Sequence, residues 1–205
     1  AKNELLVENI RIENPSVQLF LLPKPDQPDS TLPAPHAREF SYSRIALQSF
    51  EILDAETKVF KVSKADTSVF GTMNDFDFLV KGFSYVGTDG KAPVEVLDVE
   101  LSAAEVRLDD LAGHVLTLDS MNLDFLKNTL VLKAGTFEPV QSVEEFDQST
   151  PVRKPYFSYT FQEMVLSDVA YELALYQEWK AKHLHLDGFE ASIYINNSKP
   201  FPEGK

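Results

Sequence analysis

Along most of this chain, apolar and charged residues alternate in short runs, as strands require when one face is buried and the other is wet. The segment "NDFDFLVKGFSYVGTDGKAPVEVLDVEL" (74–101) shows the pattern. Phe76, Phe78 and Val80 fall on one face, and Asp75, Asp77 and Leu79 on the other. Thr88-Asp89-Gly90-Lys91 then predicts a hairpin turn, because Asp-Gly tolerates the positive φ that tight turns need. No long stretch keeps a 3.6-residue period. Short helical turns are predicted only at "SVEEFDQ" (142–148) and "LYQEWKAK" (175–182).

A second regularity overlies the alternation. In "YTFQEMVLSDVAYEL" (159–173) apolar residues occupy positions 1, 3, 6, 8, 11, 13 and 15. The window from Val94 fills all seven, through Val96, Val99, Leu101, Ala104, Val106 and Leu108. Windows from Leu5, Ile45 and Leu116 each fill six, and a partial one starts at Leu184. At this composition chance supplies about one or two such windows. Five are present, an excess that any β protein would partly share. Each two-residue gap reverses the phase of a period-2 strand, so keeping one face buried demands a bulge or a corner. Glu13-Asn14, Leu53-Asp54, Ser102-Ala103 and Ser167-Asp168 fill the second gap with mostly turn-prone residues. Each window therefore reads as bulged strand, corner and second strand. Stacked, they predict one all-β domain over 1–205, a curved antiparallel sheet or sandwich-like groove with an apolar concave face.

Other features narrow the function. "PKPDQPDSTLPAP" (23–35) holds five of the 12 prolines and predicts an extended mobile loop, since proline cannot donate to a sheet ladder. The formal net charge of −13 repels phosphate backbones, so nucleic acid is not an expected partner. Without cysteine there is neither a disulfide framework nor a thiol nucleophile. The longest apolar runs, such as "LFLL" (19–22), fall far short of a membrane span. The chain opens on Ala1 rather than Met, which fits a product whose targeting segment has been removed.

"LLVENIRIENPSVQLFLLPK" (5–24) and "LHLDGFEASIYINNSKPFPEGK" (184–205) resemble pieces of the AsmA-like envelope proteins of Gram-negative bacteria, especially those of the Bacteroidetes. Asn14-Pro15-Ser16-Val17-Gln18-Leu19-Phe20 is similar to one recurrent unit of that family, and 193–200 to a second that leads into a further segment. The resemblance implies a fragment of a longer periplasmic protein without catalytic residues. Membrane attachment would come only through an N-terminal anchor outside this chain. It also implies a groove that shelters lipid acyl chains in outer-membrane biogenesis.

Candidate chemistry is sparse. On a strand, His183, His185 and Asp187 of "HLHLDG" share one face, and two His with a carboxylate are a zinc ligand set. The motif is similar to the opening of the HxHxDH signature of metallo-β-lactamase-type hydrolases, but Gly188 stands where the last His belongs. The preferred reading is a wet polar face, with no metal and no other cofactor expected. Asp75 with Asp77 and Glu144 with Glu145 are carboxylate pairs of a kind that 32 acidic residues produce everywhere. Tyr156, Phe157, Tyr159 and Phe161 could stack on a sugar or line a lipid groove, with strand packing the simpler reading.

The expectation is a non-enzymatic, lipid-chain-binding module. Its groove candidates are Phe50, Ile52, Val99, Leu101, Met164 and Leu166. The alternative is an envelope module with a closed core that binds other envelope proteins.

Overall fold

A computed structural model of the chain describes residues 4–21, 44–62, 66–86, 94–111, 113–170 and 180–202. The proline-rich segment, the turn at 88–91, Trp179 and most of the helical turn expected at 175–182 lie outside them. The strands are β1 (Glu4–Glu13), β2 (Ser16–Leu21), β3 (Arg44–Val62), β4 (Thr67–Val86), β5 (Val94–Glu95), β6 (Asp98–Leu108), β7 (His114–Asp124), β8 (Thr129–Pro139), β9 (Pro155–Ser167), β10 (His183–Asp187) and β11 (Glu190–Ile195). The one helix among the described residues, α1 (Val143–Ser149), starts where the sequence predicts. Ser142 caps it by accepting from the Glu145 N–H while the Glu145 carboxylate accepts from the Ser142 N–H.

The strands form one curved, unclosed sheet in the order β1-β3-β4-β6-β7-β8-β9-β10. β2 continues β1 along β3, β11 continues β10 along β9, and β5 adds to β4. All pairings are antiparallel except those of β1 and β2 with β3, which are parallel. Every substantial contact between elements is one between neighbouring strands, so no second layer covers the sheet among the described residues.

Register and burial together assign the two faces. The buried cluster is Ala55, Val59, Met73, Phe76, Ala103, Val106, Leu118 and Phe161, with Thr57 among them. Ala55 is 0% and Val106 2% exposed. Uncovered side chains reach such values only on the inside of a curve, so this face lines a trough. Toward the far end of β3 one charge joins this face, where Lys61 continues the Ala55-Thr57-Val59 alternation and its ammonium lies 5.8 Å over the Phe70 ring. The outer face carries charges paired across strands, as Arg11–Glu51, Lys81–Asp98 and Lys81–Glu100.

The two-residue gaps of the sequence pattern have a single structural cause. On every strand in turn the inward phase reverses across one transverse line. It runs between Ile52 and Ala55, Met73 and Phe76, Ala103 and Val106, Leu118 and Met121, Leu132 and Gly135, Phe161 and Met164, and Leu186 and Phe189. Residues on that line take positive φ: Asn14, Asp54, Asp75, Glu105, Ala134 and Gly188. Asn and Asp tolerate this conformation better than other non-glycine residues. The line begins where the Asn14 N–H donates to the Leu53 carbonyl (2.9 Å) and the Glu56 N–H to that of Pro15 (3.1 Å). A shorter second line passes Gln48 and Gly82, whose φ is +65°. The kinks at 13–14 and 53–54 fall where the sequence places them. In β6 the kink is at Ala104-Glu105 instead of Ser102-Ala103, because Ala103 opposite Met121 is the buried alanine. Asp168, also at positive φ, ends β9 rather than bending it.

Candidate functional site

The main kink line divides the trough into unlike halves. On one side Ala55, Thr57, Val59, Met73, Val106, Leu118 and Phe161 are buried. Gly135 lies under the Phe161 ring, where an added Cβ would come within 2.0 Å of the ring carbon Cζ. Further out in this half, His114, Phe137 and Tyr159 stack in succession at 4.4 and 4.8 Å between ring centroids. Burial pushes the Tyr159 hydroxyl pKa up, as expected where water is scarce.

The other half is more open, although Phe76 and Ala103, next to the line, are buried. One cross-strand row runs from edge to edge of the sheet: Ile12, Ile52, Phe78, Leu101, Leu123, Leu130, Leu166, Leu184. Each stands directly opposite the next, and every one is apolar. Beside this row, Ile10, Phe50, Val80 and Val99 form a second, and Met121, Leu132, Met164 and Leu186 a third across the kink-proximal strands. Of these sixteen side chains only Leu123 is buried, closed over by Val169 through the turn where the Val169 N–H donates to the Asn128 carbonyl (3.1 Å).

The groove candidates are thus brought together: Ile52, Leu101 and Leu166 in the first row, Phe50 and Val99 in the second, Met164 in the third. All six are half-buried. The sequence candidates did not include Ile12, Phe78, Leu123, Leu130 and Leu184, which complete the first row; their alternation was visible but their register was not. Of the aromatic series, Phe157, Tyr159 and Phe161 face inward, while Tyr156 faces outward and packs edge-on against Phe146 of α1.

His183, His185 and Asp187 do share one face, the outer one, at the exposed edge. Side chains two apart on a strand are separated by roughly 6.6 Å along it, too far to close on one ion without help from elsewhere. Among the described residues no three His, Cys, Asp or Glu gather as metal ligands. The carboxylate pairs have structural partners: Asp77 accepts from the Asp54 N–H (2.9 Å), and Glu145 belongs to the helix cap. No helix among the described residues is long and apolar enough to cross a membrane. A cleft of about 490 Å³ lies at the strand ends among His114, Pro139, Phe146 and Tyr156.

No protein-family model, curated protein or solved structure matches this chain.

Proposed function

We propose that this chain is a non-enzymatic module whose open half-trough holds or guides lipid acyl chains, as an AsmA-like periplasmic protein would in outer-membrane biogenesis. The observation that supports the reading is the edge-to-edge row from Ile12 to Leu184, apolar at every position and lined by no charged residue. An acyl chain laid along it gains about 0.8 kcal/mol for each methylene removed from water. About ten methylenes then contribute roughly 8 kcal/mol before the cost of immobilising the ligand. The acidic outer face adds no attraction for the headgroup, so recognition rests on the chain.

The test is native mass spectrometry of the purified protein, with organic extraction of whatever it carries. A co-purifying phospholipid or fatty acid is expected, and Leu184→Asp with Ile12→Asp should lose it. Both positions are exposed, so this double variant keeps its core. A clean apo mass, with no uptake of added fatty acid, would replace the lipid reading with that of a protein-interaction module in the cell envelope.

A further inference from the structure

The sheet ends on two unlike edges, and one of them is built to pair with itself. A free edge strand offers a ladder of unpaired N–H and C=O groups, and proteins blunt such edges with proline, like charges or polar cover. The β1–β2 edge is blunted. Pro15 interrupts it, and a symmetric pairing about its Glu8-Asn9 phase reversal would set Glu4 against Glu13 twice. The β10–β11 edge has no such protection. Leu184 is 57% and Ile193 67% exposed, and Phe189 and Ile195 are exposed beside them. The apolar rows of the trough run out to this edge, and no other strand among the described residues pairs there.

We propose that β10–β11 pairs antiparallel with β10–β11 of a second copy, about a two-fold axis at Asp187-Gly188, and joins two troughs into one. Two arguments fix the register. Along the kink line the phase reversals of neighbouring strands face each other, as Ser120 faces Lys133 and Lys133 faces Glu163. A strand added at this edge must keep that alignment. Only pairing centred between Asp187 and Gly188 does so, placing Leu186 opposite Phe189 and Leu184 opposite Ala191 inside the trough. Moving the register by two residues would set Asp187 against Glu190, or Leu186 against Asp187. The second argument is polar complementarity. On the outer face the centred register puts His185 opposite the second copy's Glu190, and the symmetry makes that contact twice. Charges already on this edge leave both residues available: His183 lies 3.7 Å from Asp168, and neither His185 nor Glu190 joins an ion pair among the described residues.

The experiment is sedimentation velocity of the full chain from about 1 to 100 μM, a span that captures a micromolar dimer. The wild type is expected to shift from monomer to dimer. His185→Glu places like charges in both symmetric contacts, and Glu190→Lys removes from both the carboxylate that faces His185; each should weaken the dimer about tenfold or more. The double variant His185→Glu/Glu190→Lys restores opposite charges and should recover it. Both changed positions are on the exposed edge, and circular dichroism checks that the sheet is kept. A wild type that stays monomeric at the highest concentration overturns the proposal. So does a dimer indifferent to Glu190→Lys, or one the double variant fails to restore. Open-ended growth into larger species would also overturn it, because that is head-to-tail pairing of the two different edges.

Discussion

The two halves of the trough share strands, curvature and hydrophobic character, yet one is buried and the other half-exposed. What separates them is side-chain size at the kink line. In the closed half, Ala55, Gly71 and Gly135 stand among larger neighbours, so adjacent strands can tilt inward until Val106 and Phe161 are covered. In the open half the facing row is Ile, Phe and Leu at every position. Large side chains on every strand keep the face broad, and no second layer arrives to cover it. A small-large mixture closes a curved sheet upon itself, and a uniformly large row holds it open. The closed half thus carries most of the buried apolar surface, and the open half is left uncovered among the described residues.

The sharpest way to break this comparison is to remove one large side chain from each half. Phe161→Ala takes away a ring that is 3% exposed and packed on Gly135, and should destabilise by about 3–5 kcal/mol. Leu101→Ala, half-buried in the open row, should cost about half as much, since part of its surface is already wet. Urea denaturation of the two variants measures the difference. Equal costs would mean that the open row is covered in solution.

Gly135→Ala asks the same question from the opposite side. Its Cβ would sit within 2.0 Å of the Phe161 ring, beside the backbone of a central strand. Either the ring leaves its place or the strands move apart, at a cost of about 1–3 kcal/mol. A neutral substitution would show that the ring does not depend on a glycine beneath it. Ala134→Gly sharpens the role of the kink itself. Ala134 holds φ at +47° and is exposed, so glycine relieves backbone strain without removing a contact. Against that gain stands the greater freedom of glycine in the unfolded chain, leaving a net stabilisation of about 0.5–1 kcal/mol. A loss of stability would mean that the methyl group contributes packing.

The sequence makes the fold class, the alternation and the need for phase reversals legible, because these are properties of single strands. The short helix is legible for the same reason, through Ser142 and Glu145. The register between strands is not, because distant segments decide it. Alanine is compatible with either face, so the window from Val94 assigns Ala104 inward, and only pairing with Leu118 and Met121 shows that Ala103 occupies that place. Likewise the windows from Ile45 and Leu116 look like copies of one unit. Yet the first meets the kink line at its second gap and the other at its first. What repeats is a line drawn across the whole sheet, invisible until the strands are side by side. That the six candidates share a face follows from local alternation, whereas the alignment of Ile52, Leu101 and Leu166 with Ile12, Phe78, Leu123, Leu130 and Leu184 in one row is set by register.

The smallest expected effect concerns how the open edge is held in place. Beyond β11, the chain is fastened to α1 through Asp147, whose carboxylate accepts from the Tyr194 hydroxyl (2.8 Å), the Asn196 amide (2.9 Å) and the Lys199 ammonium (3.1 Å). Lys199 also donates to the carbonyls of Asp147 and Thr150, and Arg153 donates to that of Asn197 and packs over Phe201. The Tyr194 hydrogen bond above all, with Lys199 and Asn196, holds the Asp147 carboxyl below the usual carboxylate range. A carboxylate whose pKa is lower in the folded state stabilises the fold above its unfolded value, near 3.9, and that contribution disappears as pH falls through the folded value. Wild-type stability should therefore fall on acidification below about pH 4. Asp147→Asn should be less stable at neutral pH and lose less of its stability on acidification. Because Tyr194 and Asn196 belong to the β11 end, hydrogen exchange there should quicken at low pH before it does in β6 or β7. Simultaneous loosening of all three strands would mean that the Asp147 contacts do not anchor that edge independently of the closed half.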